Sequence, residues 1–299
     1  MQPRGQRTAD RFTHAIERAS LLDAVADKIA AAVPDAARSG RGRELASGTV
    51  LGHPAHPGIV VLPMGAWLSA SLLDVVGGRG ARRSARRLVG LGVVAAVPAA
   101  VTGWSDWLDT EGAERRVGLT HAAANATAVS LYAGSWLARG RGRHARGVAL
   151  ALVGSGVLSA AGWLGGHLAF ALGVGVDTTA FQHMDADWAD VGAAADVDSL
   201  GRRLTGTVHG TPVLVVNTPA GVVALADRCT HRGAPLHEGT IVGDCVVCPW
   251  HDSTFDLATG AVVRGPATRP QPTFEVRVVD GRVQVRRADE QSSLRTNPV

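Results

Sequence analysis

Two short strings in the C-terminal half of the chain each carry one cysteine and one histidine. The first, CTHRGAPLHEG, contains Cys229 and His231, and the second, CPWHDS, contains Cys248 and His251. Two loops that each offer a thiolate and an imidazole suit a binuclear iron site, with two cysteines on one iron and two histidines on the other. Neutral histidine in place of thiolate removes negative charge and raises the reduction potential. The spacing therefore predicts a binuclear iron site with chemically unequal irons.

A structural zinc site is the main alternative, because zinc takes four Cys and His ligands in a tetrahedron. Cys245 and Cys248 form a C-x-x-C, which makes five candidate ligands where zinc needs four. The C-x-H string closes poorly around one tetrahedral ion beside a second pair. We interpret Cys245 as a buried strand thiol, because free cysteine behaves mostly as a small hydrophobe. His237 is interpreted as a solvent-facing loop residue.

The sequence around these residues closely resembles the Rieske [2Fe–2S] family. CTHRGAPLHEG, CPWH and the following FDLATG and GPA carry the resemblance, which covers residues 186–288. It implies that Cys229 and Cys248 bind the inner iron. It implies that His231 and His251 bind the outer iron, where they are exposed enough to meet a redox partner.

The same resemblance bears on the loops and on the branch of the family. Pro249 and the Gly265-Pro266 segment resemble the loops that cover the cluster. The quinol-oxidising branch carries an additional cysteine in each loop, joined by a disulfide, and here those positions are Ala234 and Trp250. The module therefore resembles the ferredoxin and oxygenase branch, which implies a lower potential.

Two residues after the second histidine are also informative. Asp252 departs from the glycine that is common at this position, and its carboxylate is expected to depress the potential or couple it to a proton. Ser253 is retained, and its hydroxyl is expected to bond a cluster sulfur.

Short strands separated by turns are predicted from about residue 186 onward. TPVLVV at 211–216 and GVVALA at 221–226 flank a Pro-Ala turn. TFEVRVV at 273–279 meets GRVQVR through Asp280-Gly281, which is a strong hairpin signal. These strands predict a small all-β module with its own core.

Four apolar runs in the N-terminal half are long enough to cross about 30 Å of hydrocarbon. They are 58–77, 88–107, 117–138 and 147–176, and their only charged residues are Asp74 and Asp106. Helices of a soluble bundle would show a polar stripe at helical spacing, and these runs do not. The string HPAHP, followed by PMG and Asp74, resembles a family of short bacterial four-helix membrane domains of unknown function. The sequence thus predicts a multi-pass protein of the cell membrane, with four spans in the lipid bilayer.

Histidines near the ends of the predicted spans form a second group of interest. His56, His121 and His167 all lie toward the side that carries both chain termini. Imidazoles from different helices at similar depth could ligate a haem b or line a quinone pocket. The alternative is that they are interfacial histidines bonded to neighbouring carbonyls.

Together these features predict an α + β multidomain chain, with an N-terminal four-helix transmembrane bundle and a C-terminal all-β Rieske-type domain. The predicted segments are an amphipathic or flexible segment at 1–50, the transmembrane domain at 51–176, an acidic linker at 177–190, the Rieske domain at 186–288 and a flexible tail at 289–299.

Composition excludes several other classes. A hydrophobic content of 46% is too high for disorder, and three cysteines in 299 residues cannot form a disulfide scaffold. Arginines cluster at 79–87 and 139–146, and each cluster separates two apolar runs. That placement is typical of loops beside a membrane, so no nucleic-acid partner is predicted.

The predicted function is one-electron transfer. A Rieske oxygenase also needs a mononuclear iron held by two histidines and a carboxylate, and no spare domain here could house it. We therefore expect an electron-transfer component rather than a complete catalyst, relaying electrons between a membrane donor (quinol or haem) and a redox partner protein or the quinone pool. The alternative is a redox-sensing membrane protein that reads the oxidation state of the cluster.

The sequence gives conflicting indications of the side of the membrane on which the Rieske half lies. The loops 78–87 and 139–146 hold nine arginines against five near the opposite ends, which by the positive-inside rule predicts the Rieske half outside. Iron–sulfur domains are assembled folded in the cytoplasm, however, and no paired-arginine export signal immediately precedes the fourth run.

Overall fold

The computed structural model describes residues 4–182 and 186–287. The chain divides into a helical unit, Met1–Gly42 with Pro54–Val174, and a β unit, Arg43–His53 with Gly175–Val299. Each unit is described by itself below. The predicted tail at 289–299 and Asp185 of the predicted linker lie outside the described residues.

Helices account for nearly all of the chain before residue 171. In chain order they are α1 (Arg4–Glu17), α2 (Asp23–Ala31), α3 (Gly40–Ser47), α4 (Ala55–Ile59), α5 (Val61–Val76), α6 (Arg82–Trp107), α7 (Gly112–Gly140) and α8 (His144–Phe170). The amphipathic pattern of the first 50 residues corresponds to α1 and α2, which a short 3-10 turn at Ser20–Leu22 separates.

Within the described residues, three helical segments are long and apolar enough to cross a membrane. They are Ala55–Val76, Arg82–Trp107 and His144–Phe170, and they contain most of the first, second and fourth predicted spans. The third predicted span, 117–138, is helical within α7, but α7 is not among the three. Polar residues such as His121 and Asn125 interrupt its apolar character. The helical prediction is confirmed, and the membrane prediction is supported for three of the four runs.

Aromatic stacking and an ion pair connect the helices of this unit. The ring of Trp67 in α5 stacks on Tyr132 in α7 with centroids 4.1 Å apart, and its indole nitrogen donates to the Val89 carbonyl of α6. Arg139 of α7 forms a two-pronged bond with the Asp74 carboxylate of α5, and only 1% and 6% of these two side chains is exposed. Aromatic stacking and a buried charge pair thus connect the long helices.

The β unit contains two antiparallel sheets. A six-stranded sheet has the order β1-β10-β9-β4-β3-β2, and a four-stranded sheet has the order β5-β6-β7-β8. The strands are β1 (Ala189–Ala193), β2 (Arg203–Val208), β3 (Thr211–Thr218), β4 (Gly221–Ala226), β5 (Thr240–Val242), β6 (Cys245–Val247), β7 (Thr254–Asp256), β8 (Val262–Arg264), β9 (Thr273–Val279) and β10 (Arg282–Arg287).

Both predicted hairpins are confirmed. β3 pairs with β4, and β9 pairs with β10 through Asp280 and Gly281. These two turn residues have φ angles of 49° and 70°, the left-handed conformation that an Asp-Gly hairpin turn requires.

Two apolar cores stabilise the β unit, and the second contains both predicted cysteine ligands. One core lies on the large sheet around Val213, Val215 and Val283. The other packs Cys229 and Cys248 with the fully buried Phe255 and other apolar side chains. The loops that carry the cysteines are therefore held by side chains of both sheets.

Candidate metal centre

Two loops of the β unit bring the predicted cysteine ligands together. Cys229 follows β4, and Cys248 follows β6, so each leaves the end of a strand. Both side chains are buried, and the Cys229 thiol donates to the Cys248 sulfur. This bond lowers the pKa of Cys248 to about 6 and raises the pKa of Cys229, because the two sulfurs share one proton. The two sulfurs are thus within hydrogen-bonding reach of each other.

Each loop also folds its own backbone N–H groups onto its cysteine. The amides of His231 and Arg232 donate to the Cys229 sulfur, and those of Trp250 and His251 donate to the Cys248 sulfur. Hydrogen bonds from amides stabilise negative charge on sulfur. The two loops therefore favour thiolate, the form that binds a metal.

The two predicted histidine ligands lie beside each other at the edge of the site. The ring centroids of His231 and His251 are 5.1 Å apart, and the rings are nearly perpendicular at 89°. Both residues are half-buried, and their Nδ1 atoms are shielded from solvent. Trp250, next to His251, is 56% exposed. The imidazoles therefore sit between the buried sulfurs and the surface.

The donor set falls into two pairs instead of converging on one point. Among residues 4–182 and 186–287, no three or more His, Cys, Asp or Glu side chains are gathered as a single metal ion would need. A structural zinc site requires such convergence, whereas a binuclear cluster takes one pair of ligands on each iron. The chemistry and the pairing of these donors fit a [2Fe–2S] cluster.

The residues after His251 support the second loop. Ser253 is fully buried, its carbonyl accepts from the Cys248 N–H at 2.8 Å, and its Oγ accepts from the Ala267 N–H at 2.9 Å. A hydroxyl that accepts from an amide can still donate its own hydrogen, as the predicted bond to a cluster sulfur needs. Asp252 has a φ of 57°, which explains in physical terms why glycine suits this position.

The first loop depends on a residue that no motif indicated. The buried Gln271 side chain donates through Nε2 to the carbonyls of Ala226 and Arg228, and its Oε1 accepts from the Thr230 N–H. One amide thus braces the backbone on both sides of Cys229. Gln271 stands about 40 residues away in sequence, and only its place just before an alternating strand distinguishes it.

Cys245 and His237 lie near the site but do not belong to the predicted ligand set. Cys245 lies half-buried on β6 opposite Val242 and Asp256, and burial raises the pKa of its thiol. The His237 Nδ1 donates to the Asp227 carboxylate at 2.6 Å, and its side chain is partly exposed. Neither joins the two predicted ligand pairs, and the three cysteines form no disulfide.

The predicted membrane histidines have partners within the helices. His56 Nδ1 donates to the Ala99 carbonyl at 3.0 Å, and His121 Nδ1 donates to the Ala161 carbonyl at 2.8 Å. The His167 Nε2 donates to Glu17 in α1 at 2.7 Å. The first two contacts match the interfacial alternative, in which the imidazoles bond neighbouring carbonyls.

Sheets, loops and donor pairs together define a binuclear iron–sulfur protein of the mixed cysteine and histidine type. Comparison with known proteins agrees: the Rieske [2Fe-2S] domain family matches residues 187–275, and a predicted membrane protein family, DUF2231, matches residues 52–178. The chain belongs to the Rieske [2Fe–2S] family, and it joins that domain to a DUF2231 membrane domain.

Individual relatives are small ferredoxins. The chain is 37% identical over 102 residues to ferredoxin CarAc of Metapseudomonas resinovorans, a match that covers 34% of this chain and 95% of the relative. It is 34% identical over 102 residues to the anthranilate 1,2-dioxygenase ferredoxin subunit of Burkholderia cepacia, covering 33% and 92%. A solved complex of reduced oxygenase and oxidised ferredoxin in carbazole 1,9a-dioxygenase matches at 36% identity and a TM-score of 0.32, covering 36% of this chain and all of the matched one.

Proposed function

We propose that this protein is a membrane-anchored Rieske electron-transfer protein, which relays single electrons between a membrane donor, quinol or haem, and a redox partner protein. The observation that carries the proposal is the arrangement of the donors. Two sulfurs are buried in an apolar core, while the two imidazoles beside them lie half-buried next to the exposed Trp250. Such a site holds a redox group firmly and leaves one edge open to a partner.

In this proposal Cys229 and Cys248 ligate one iron and His231 and His251 the other. When bound, the [2Fe–2S] cluster supplies a one-electron couple, tuned by ligand charge, hydrogen bonds to sulfur and exposure. The backbone amides on the two cysteine sulfurs stabilise the added negative charge of the reduced state. The apolar core that surrounds the sulfurs limits the access of water to them.

The relatives suggest the class of redox partner. One relative is named as the ferredoxin subunit of anthranilate 1,2-dioxygenase and the other as a ferredoxin, and the chain covers more than nine-tenths of each. We propose a soluble oxygenase-type protein as electron acceptor. The partner would approach the edge formed by His231, Trp250 and His251.

The membrane part of the proposal concerns the electron donor. Three candidate spans support residence in a bilayer, and His56, His121 and His167 remain the proposed contacts for a haem b or quinone. Because His56 and His121 donate through Nδ1 to helix carbonyls, each ring is held in one orientation and in the tautomer whose Nε2 is an acceptor. The His121 Nε2 accepts from Asn125 Nδ2 at 3.0 Å, so a ligand there would replace this bond.

The test uses the full chain, purified in detergent from cells supplied with iron and haem. After reduction with dithionite, which supplies one electron per cluster, an EPR signal of a histidine-ligated [2Fe–2S] cluster is expected, with about two irons per chain. A Soret band would identify haem as the donor, and rapid reduction of the cluster by a soluble quinol analogue would identify quinol. Absence of the EPR signal after iron loading would contradict the proposal.

The same preparation separates electron relay from redox sensing. A relay is expected to pass electrons to a soluble acceptor for many turnovers, whereas a sensor changes its conformation once per change of oxidation state. Steady-state acceptor reduction that stops after one electron per chain would contradict the relay.

A further inference from the structure

Two segments outside the matched Rieske region bond the first cysteine loop and the loop that supports the second. The matched region is 187–275, and both Thr49 and Thr178 precede it in the chain. Both threonines nevertheless belong to the β unit. They are therefore parts of the site environment that the Rieske domain alone does not include.

Thr178 bonds the loop of the first cysteine through both its side chain and its backbone. Its Oγ1 donates to the Cys229 carbonyl at 2.6 Å, and its N–H donates to the Thr230 carbonyl at 3.1 Å. The Asp177 carboxylate accepts from the backbone and the hydroxyl of Thr179, at 2.9 and 2.7 Å. This turn fixes the segment, so Thr178 is presented to the loop in one conformation.

Thr49 bonds the loop that supports the second cysteine. Its Oγ1 donates to the Ala267 carbonyl at 3.0 Å, and the Ala267 N–H in turn donates to Ser253 Oγ. The Ser253 carbonyl accepts from Cys248, so a continuous chain of hydrogen bonds joins Thr49 to a proposed ligand.

The Thr49 side chain is also closely packed. A Cβ at Gly265 would overlap Thr49 Oγ1, so only glycine lets the loop approach the threonine this closely. Ser47 Oγ lies 3.0 Å from the same hydroxyl and restricts its rotation. The 3-10 turn Thr49–Leu51 therefore packs closely against the loop at 265–267.

We propose that Thr49 and Thr178 are positioning residues, which hold the two cysteine loops and raise the reduction potential of the cluster. The inference rests on the proposed ligand set. Each hydroxyl hydrogen offsets the partial negative charge of a carbonyl oxygen in or beside a cysteine loop. Without it, an electron added to the cluster meets more negative charge, so the potential falls.

The chain positions of these residues add a second consequence. Thr49 lies shortly before Ala55, where the first candidate span begins, and Thr178 lies shortly after Phe170, where the last one ends. The first cysteine loop and the loop at Ala267 that supports the second are thus bonded by segments that adjoin the membrane helices in sequence. A soluble ferredoxin domain made of the β strands alone would lack both contacts.

The experiment compares isosteric and conservative variants of the full chain in detergent. Thr49→Val, Thr178→Val and the double variant remove the hydroxyls, while Thr49→Ser and Thr178→Ser keep them. Thr218→Val is the matched control, because Thr218 Oγ1 also donates to a carbonyl, that of Gly221, in the β3–β4 hairpin. The readouts are the midpoint potential from an EPR-monitored titration and the rate at which a chelator bleaches the cluster.

Both valine variants are expected to lower the midpoint potential and to lose the cluster about 2- to 10-fold faster, as befits one lost hydrogen bond. The double variant is expected to show the larger change, and the serine variants to match wild type. Complete loss of the cluster in a valine variant, with retention in its serine partner, supports the same assignment.

Potentials and bleaching rates of the valine variants equal to those of Thr218→Val would overturn the inference while leaving the proposed function intact. Serine variants that behave like the valine variants would also overturn it, because the methyl group and not the hydroxyl would then be responsible. A wild-type chain without a histidine-ligated cluster would instead contradict the proposed function itself.

Discussion

Asp252 links backbone conformation to redox chemistry at the scale of one residue. It stands immediately after His251 with a φ of 57°, a conformation that glycine adopts without steric cost. Aspartate is among the residues that tolerate this region, because its short side chain can bond locally. The chain thus keeps a carboxylate beside a proposed ligand where a smaller residue would fit.

Removing the Asp252 charge is expected to raise the midpoint potential. A nearby negative charge disfavours the more negative reduced cluster, so Asp252→Gly and Asp252→Asn should both shift the potential upward, as a redox titration measures. Asp280→Gly is the control, because Asp280 has a similar φ of 49° in the β9–β10 turn. An equal shift in the control, or none in either Asp252 variant, would contradict this role.

The ligand assignment makes a prediction of its own. His231→Ala and Cys248→Ala should abolish the cluster signal, because each leaves one iron with a single protein ligand. Cys245→Ser should retain wild-type iron content, since Cys245 lies on β6 apart from the two pairs. An intact cluster in either alanine variant would refute the assignment.

The remaining thiol should also react slowly. Burial, aided by Asp256 and Asp244, raises the pKa of Cys245, so at pH 8 its thiolate fraction is below that of an ordinary cysteine. Its alkylation rate should therefore keep climbing as the pH rises beyond about 8.5, the usual cysteine value. Mass spectrometry of the holoprotein after timed alkylation measures this, and a rate that levels off below pH 8 would contradict the raised pKa.

Local spacing predicted the four proposed ligands, but it could not predict the residues that support them. Cysteine and histidine positions are visible in two short strings, and their burial follows from the apolar residues of neighbouring strands. Gln271 and Thr49 act across 41 and 218 residues of sequence, and both are common polar types with no motif around them. Only the tertiary fold brings them to the loops.

At the scale of elements, alternation and turn chemistry predicted the strands well. The segments 211–216, 221–226 and 273–279 all lie within β strands. Successive apolar residues of β3 and β4 face the two apolar cores in turn, and the strands end at turn-forming residues. The short strands β5 to β8, of three residues each, carry too few positions for a period to be recognised. Likewise, nothing in the composition of 43–53 distinguishes it from the helical segments around it.

The buried ion pair between α5 and α7 should dominate the stability of their packing. Arg139→Met leaves the buried Asp74 carboxylate without its arginine partner, with the His144 Nε2 3.7 Å away, and breaking a buried ion pair typically costs about 3–5 kcal/mol of folding free energy. The double variant Asp74→Leu/Arg139→Met removes both charges and should recover most of the loss. Thermal unfolding of the helical unit in detergent, followed by circular dichroism, compares the two. A double variant less stable than Arg139→Met alone would contradict the argument.

At the scale of the whole molecule, α7 decides how many times the chain crosses the bilayer. Its 29 residues span about 43 Å at 1.5 Å per residue, more than the roughly 30 Å of hydrocarbon. Its polar side chains bond within the helical unit: His121 to Ala161, Asn125 to His121, and Tyr132 to Ser155. Because paired polar groups lower the cost of burial in lipid, we expect α7 to cross despite its lower hydropathy.

Four crossings place the loop before α7 and the loop after it on opposite sides of the membrane. Glu111→Cys and Arg141→Cys introduce exposed reporters at these two loops, and Ala180→Cys reports on the segment that follows α8. The background is Cys245→Ser, because Cys229 and Cys248 are buried. A membrane-impermeant maleimide applied to intact and to permeabilised cells then reads the side of each reporter.

The arginine-rich loops at 79–87 and 139–146 should lie in the cytoplasm, since basic loops are retained there. Arg141→Cys is therefore expected to react only after permeabilisation, whereas Glu111→Cys and Ala180→Cys react in intact cells. If Glu111→Cys and Arg141→Cys react on the same side, α7 does not cross and the chain has three spans. If Glu111→Cys is labelled while Arg141→Cys and Ala180→Cys are both protected, α7 crosses the membrane and α8 does not. Protection of both Glu111→Cys and Ala180→Cys with labelling of Arg141→Cys would instead place the Rieske domain in the cytoplasm, against the charge distribution of its loops.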